Sequence, residues 1–305
     1  MTDVSVSTRI RQLAQDLGAV ILAHNYQLPE IQEVADLCGD SLGLSVAAAQ
    51  SQAPVIVFCG VYFMAETAKI LAPQATVLIP EPEAGCPLAD MITAEQLRAF
   101  QADHPGAKTV CYVNSSAAVK ALSDLCCTSS NAVEVIRAAF SPKDEILFVP
   151  DRNLAAWVAA QLPDHRIIPW KGFCYTHHRL LPEFILQARA AHPEAEVLVH
   201  PECPPQVTAV ADQVLSTGGM AKHVAASSRS EFIIGTEQGM VWRLAHDHPD
   251  KVFHHAFSAM VCPNMKKTTL SHLLAALEQR QHAVTLDPDL AAAARRGIQA
   301  MLDLG

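Results

Sequence analysis

Short apolar runs and amphipathic stretches alternate along the whole chain. AVILA at 19–23, PVIVFC at 54–59, EILFV at 145–149 and the runs at 76–79, 108–112, 166–168, 196–199 and 231–234 are short and rich in branched residues. That pattern predicts buried parallel strands, with one more expected near Val252. Between them, residues 8–18, 62–71 and 153–161 and the segments opening near Thr93, Asn131 and Met240 carry helical spacing. Gly18 closes the first helix, and Glu95 and Gln96 occupy the first turn after Thr93. Strands that alternate with helices predict an α/β fold, with parallel sheets covered on both faces. In such sheets ligands gather beyond the carboxyl ends of the strands.

The pattern recurs at a fixed step. HPGAKTV at 104–110 returns as HPEAEVL at 192–198, 88 residues on. Cys86, Cys174 and Cys262 keep the same step of 88. So do His24, Tyr112 and His200; Tyr26, Asn114 and Glu202; and Ser41, Ser129 and Thr217. Evenly spaced cysteines alone carry little weight in a chain with nine, but four sets on one step indicate repeated structural units. The expected architecture is three homologous three-layer αβα domains related by pseudo-threefold symmetry, with the active site at their junction. Their expected bounds are 1–106, completed by the C-terminal segment 283–305; 107–194; and 195–282. The apolar run at 283–286 reads as the first strand of a fourth copy cut short. The helix at 290–304 is expected to pack on the first domain with the N-terminal helix.

Composition narrows the function. Of 305 residues, 50% are hydrophobic and 17% charged, which is a globular balance. A net charge of −9 argues against a nucleic-acid partner. The apolar run at 55–65 is too short to span a bilayer, and the N-terminus has no signal-peptide core, so a cytoplasmic protein without a membrane partner is expected. There the nine cysteines are expected to be thiols, metal ligands or catalytic groups.

Cys86, Cys174 and Cys262 lie in loops marked by Gly and Pro and are placed by the repeat to meet. Three convergent thiolates suit zinc or an iron–sulfur cluster, and either metal keeps one open position. Cys38, Cys59, Cys111, Cys126, Cys127 and Cys203 read as packing residues. Ser41, Ser129 and Thr217 stand at expected helix starts, as N-caps and anion contacts. Glu202, the only carboxylate at its repeated position, is the preferred general acid/base, with Tyr26 second. His177 and His178, one helical turn past Cys174, are candidates for the same cavity; Lys171 and Lys266 are as readily surface residues. Phosphate-loop and serine-hydrolase motifs are absent.

The motifs HNYQ at 24–27, GDSLGLS at 39–45, CGVYFMAETAK at 59–69, CPLADM, YVNSSAAVKA, CTSSNA, FVPDRNLA, GFCYTHH, HPEC, STGGM, FIIGTEQGM and CPNMKK resemble the quinolinate synthase family in order, over roughly residues 10–303. The chain lacks the cysteine-rich insertion some members carry before the last ligand, which leaves Cys262 as the candidate there. The resemblance implies a [4Fe–4S] cluster, one per chain, on Cys86, Cys174 and Cys262 with one open iron. It implies condensation of iminoaspartate with dihydroxyacetone phosphate to quinolinate, phosphate and water in NAD biosynthesis. It implies substrate contacts from His24, Ser41, Tyr112, Val113, Asn114, Ser129, His200, Pro201, Glu202 and Thr217. Tyr26, Glu202 and His200 are the catalytic set it suggests. Transfer of the unstable imine from an L-aspartate oxidase or dehydrogenase is a further expectation. A non-catalytic iron–sulfur redox protein and a three-cysteine zinc lyase are the rival readings.

Overall fold

A computed structural model describes residues 3–304. The outer limits of the expected domains, at 1 and 305, lie outside the described residues. The first unit runs α1 (Asp3–Leu17), β1 (Ala19–His24), α2 (Pro29–Val34), β2 (Leu37–Gly39), α3 (Ser41–Gln50), β3 (Val55–Cys59), α4 (Tyr62–Leu71) and β4 (Thr76–Leu78), followed by α5 (Ala94–Asp103). The second runs β5 (Lys108–Tyr112), α6 (Ala117–Lys120), β6 (Leu125–Cys127), α7 (Ala132–Ala139), β7 (Glu145–Val149), α8 (Arg152–Gln161) and β8 (Arg166–Pro169), then α9 (Tyr175–His178) and α10 (Pro182–Ala191). The third runs β9 (Glu196–Val199), α11 (Pro205–Thr208), β10 (Gln213–Val214), α12 (Thr217–Ala226), β11 (Glu231–Gly235), α13 (Gln238–Asp247) and β12 (Val252–His255). Helices α14 (Leu270–Gln279) and α15 (Pro288–Leu304) close the described chain.

Three four-stranded sheets result, with the same order: β2-β1-β3-β4, β6-β5-β7-β8 and β10-β9-β11-β12. Every pairing within them is parallel. The apolar runs became the inner strands because a sheet covered on both faces buries every side chain; all five residues of β3 are buried. The edge strands β2, β6 and β10 escaped the sequence reading, being two or three residues long and without a run of their own. An aspartate fixes each edge. Asp36, Asp124 and Asp212 accept from the N–H of Ile21, Thr109 and Val197 at 2.7, 2.8 and 2.8 Å. Each returns its own N–H to the carbonyl of the same residue, at 2.9, 3.0 and 3.0 Å. These aspartates keep the step of 88 and went unnoticed in the sequence.

Two C-terminal expectations are corrected. The run at 283–286 starts no new sheet: Ala283 bridges Leu78 antiparallel, and Val284 N–H donates to Val77 at 2.8 Å. It extends the first sheet past β4 in the direction opposite to a repeat strand. Helix α15 packs mainly on α6 and β6 of the second unit and on α4, and it is α14 that lies beside α1 on the first unit. Leu270, Leu273 and Leu277 of α14 join Ile10 and Ala14 of α1 in one buried cluster over β1 and β3. Thus the helix that follows each unit covers the next sheet, and the last returns to the first.

Candidate active site

The first strand of each unit delivers polar side chains at its carboxyl end. His24 ends β1, Tyr112 ends β5, and His200 follows β9. Both histidine rings are held by their own backbone: the N–H of Tyr26 donates to His24 Nδ1 at 3.1 Å, and that of Glu202 to His200 Nδ1 at 3.2 Å. An Nδ1 that accepts leaves the proton of a neutral ring on Nε2. Burial lowers His24 to about 4, against smaller opposing pulls from Asp40 and Glu202. Burial, then His177, lowers His200 to about 3. At neutral pH both rings therefore offer an Nε2–H; that of His200 is 3.2 Å from Ser129 Oγ.

The helix starts converge beside them. The caps are Asp40, whose carboxylate accepts from Gly43 N–H at 2.8 Å, and Ser216, which accepts from Gly219 N–H at 3.0 Å. This corrects the expectation that Ser41, Ser129 and Thr217 cap: Ser41 and Thr217 are first helical residues, and Ser129 precedes the cap Asn131 of α7. Ser130 Oγ donates to Asp40 at 2.5 Å and lies 2.7 Å from Ser216 Oγ. One carboxylate thus knits helix starts from all three units. Gly218 permits it, since a Cβ there would sit 2.5 Å from Asp40 Oδ2.

One backbone hydrogen bond places each cysteine loop. The first N–H of the preceding helix donates to the carbonyl two residues before the cysteine: Tyr62 to Ala84 at 2.8 Å, Arg152 to Gly172 at 2.8 Å, Gln238 to Met260 at 3.0 Å. The residue before each donor differs. Asp151 accepts from Cys174 N–H at 3.0 Å and Glu237 from Cys262 N–H at 3.1 Å, while the first unit has Val61. Burial, then the charge of Glu202, pushes Asp151 up to about 8. Burial raises Glu237 too, against the pull of Lys266. Lys266 binds Glu237 at 3.0 Å and the Tyr26 carbonyl at 2.6 Å, so it clamps the third loop to the first unit. Cys86, Cys174 and Cys262 are free thiols. Burial pushes Cys86 up to about 12 and raises Cys174 and Cys262 as well. Among the described residues, Cys174, His177 and Glu202 have donor atoms within 4.8 Å of one another; the three cysteines do not form so tight a group.

Glu202 is the electrostatic centre. Its Oε1 accepts from Tyr112 OH at 2.7 Å and lies 3.4 Å from Asn114 Nδ2; its Oε2 is 2.6 Å from His177 Nδ1. Burial works to raise this carboxyl, but His177, with the hydrogen bond from Tyr112, outweighs it and holds it ionised, well below the usual range. His177 Nε2 reaches Thr236 Oγ1 at 2.8 Å, and Thr236 Oγ1 reaches Tyr26 OH at 2.6 Å. A continuous buried path therefore links Glu202 to Tyr26. Burial and the charge of Glu202 raise the Tyr26 and Tyr112 phenols well above their ordinary value, so both keep their protons. The Asn114 carbonyl oxygen is buried without a protein partner, a polar acceptor left for a ligand.

Side chains from all three units line one shared cavity. Of the residues expected at the site, His24, Tyr26, Ser41, Cys86, Tyr112, Asn114, Ser129, Cys174, His200, Glu202, Thr217 and Cys262 line it. Val113 and Pro201 do not: Val113 packs in the core, and its N–H is spent on the Cys127 carbonyl at 2.9 Å. His178 turns away to Arg152 and Phe173, and Lys171 lies over the Trp170 ring. Asp40, Asp151, Thr236 and Glu237 were missed. Each stands directly before a helix or just past a strand inside a noted motif, where capping chemistry was the available signal.

Three α/β units that aim thiols, imidazoles and one ionised carboxylate into a common cavity have the make-up of a metal-binding enzyme. Residues 8–303 match the family described as Quinolinate synthetase A protein, and the chain belongs to it. It is 50% identical to the quinolinate synthase of Thermodesulfovibrio yellowstonii over 97% of each chain. It is 51% identical to that of Methanoregula boonei over 97% of each, and 47% identical to that of Alkaliphilus metalliredigens over the full length of both. No helix among the described residues is long and apolar enough to cross a membrane.

Proposed function

We propose that the protein condenses iminoaspartate with dihydroxyacetone phosphate to give quinolinate, phosphate and water, supplying NAD biosynthesis. The observation that carries this reading is the meeting of Cys86, Cys174 and Cys262, one from each unit, in the cavity that holds Glu202. The donors fit a [4Fe–4S] cluster better than one zinc. Zinc–thiolate bonds of about 2.3 Å would draw three sulfurs to about 3.8 Å of one another, closer than this trio stands. A polynuclear centre needs wider spacing. When bound, the cluster supplies one iron without a protein thiolate, a Lewis acid for a substrate oxygen.

The chain's own residues do the rest. The N–H groups and hydroxyls at the starts of α3 and α12, with Ser129, hold the carboxylates and phosphate that the two substrates bring. His24 and His200 donate Nε2–H to substrate oxygens. Glu202, ionised, takes protons during isomerisation and ring closure. Tyr26, protonated, returns them to departing hydroxyls. The path through His177 and Thr236 resets the pair between steps. A short-lived imine is best received directly from the oxidase or dehydrogenase that forms it. The test is an anaerobic assay with both substrates. Quinolinate is expected; cluster-loaded protein that forms none overturns the reading.

A further inference from the structure

A second constellation lies at the end of the third sheet away from the cavity, where the last helix of the second unit meets it. Glu231 is the first residue of β11, His254 lies in β12, and His192 caps α10. Ile233 pairs with His254, so two-residue alternation puts Glu231 and His254 on one face of the sheet. His192 covers that face. Its Nδ1 stands 3.1 Å from Glu231 Oε1, and His254 Nε2 stands 2.8 Å from the same oxygen. The two rings stack with centroids 3.4 Å apart and planes 17° from parallel. The second unit uses the same place differently: Glu145, first in β7, forms an ion pair with Arg166, its register partner in β8. In the third unit Val252 takes the arginine's place, and two imidazoles serve the carboxylate.

We propose that His192, Glu231 and His254 form a binding site for a borderline divalent cation of the Zn²⁺ class, separate from the active centre. Two imidazole nitrogens and one carboxylate oxygen are the donor set such ions take. A tetrahedral ion with bonds of about 2.0–2.1 Å sets its donors about 3.3 Å apart. The observed 3.1 and 2.8 Å fall just short of that, and because a metal bond lies in the imidazole plane, one of the two rings must also turn out of the stack for both to reach the ion. All three donor atoms already lie within 4.8 Å of one another. His192 is fixed by its N–H to Ala188 at 2.9 Å and by Ala195 N–H to its carbonyl at 3.1 Å. Side-chain exposures of 34%, 31% and 23% leave an open side through which the ion arrives and where water completes its shell. Bound there, the ion ties the end of α10 to β11 and β12.

The test uses cluster-loaded enzyme, whose three ligand cysteines are occupied, titrated with Zn²⁺ and desalted for metal analysis. One zinc per chain beyond the cluster is expected, with a rise in melting temperature. Mg²⁺ should give neither, because a hard cation prefers oxygen ligands. His254→Phe, which keeps a stacked ring, and Glu231→Gln, which keeps an acceptor, should each weaken zinc binding at least tenfold and abolish the thermal shift. Quinolinate synthesis should be the same in both variants as in the parent, which shows that they fold. No retained zinc in the parent overturns the site. So does zinc held equally tightly by both variants, as uptake at free thiols would be.

Discussion

The loop ending at Cys86 and the loop ending at Cys174 receive the same backbone hydrogen bond, from Tyr62 to Ala84 and from Arg152 to Gly172. Beyond that bond they diverge. Asp151 grips the Cys174 N–H, where the first unit offers Val61. One turn after Cys174 stands His177, joined to Glu202 and Thr236; the same step of 88 places Ala89 after Cys86 and Met265 after Cys262. The repeat copies the thiol but not its neighbours: the buried path draws Tyr26 from the first unit, His177 from the second, and Thr236 and Glu202 from the third. Symmetry supplies three thiols; catalysis needs asymmetry around them.

Substitutions along the path that only the second loop joins break this comparison most severely. His177→Ala cuts the path between Glu202 and Tyr26, and Glu202→Gln removes its proton acceptor. Each is expected to lower turnover by about 10²–10⁴-fold with iron content unchanged, read by rate and metal analysis on one sample. A near-normal rate in both would remove the path from the mechanism. Asp151→Ala comes next. It strands the N–H groups of Cys174, Asn153 and Leu154 and is expected to cost about 1–3 kcal/mol in urea unfolding, as Glu237→Ala should at the third loop. Equal stability would mean that the backbone bond alone sets the loops.

The buried histidines of the first and third units give a pH test. Their folded values, about 4 and about 3, lie below the ordinary 6.5. The unfolded chain therefore takes up protons first. The stability is present above pH 6.5 and is lost as pH falls toward 4 and 3. The expected slope is about 1.4 kcal/mol per pH unit for each histidine. Urea melts across that range should show it, and a flat profile would mean that these rings are charged in the fold. Smallest of all, Cys38→Ala, at a half-buried thiol off the repeat, should leave iron content and turnover as they are.

Much of this was legible in the sequence, for a physical reason. Strands buried on both faces, such as β3 and β7, must be apolar throughout, so they announce themselves. Residues on the step of 88 mark what the units share, and twelve of the residues lining the cavity lay there. What stayed hidden depends on direction or partner. His177 and His178 are adjacent, yet a four-residue helix turns one to Glu202 and the other to Arg152. Thr236 becomes part of the path only because Tyr26, 210 residues away, reaches it. The segment at 283–286 has strand composition, but β4 already offered an open edge.

The central claim is that three unlike surroundings hold one cluster on three like thiols. Iron and sulfide content of anaerobically prepared protein tests it most directly, for the parent and for Cys86→Ala, Cys174→Ala and Cys262→Ala. The account predicts about four irons and four sulfides per chain in the parent and loss of the intact cluster in every variant. A colourless zinc protein, or a full cluster retained after any one of the three substitutions, would contradict it.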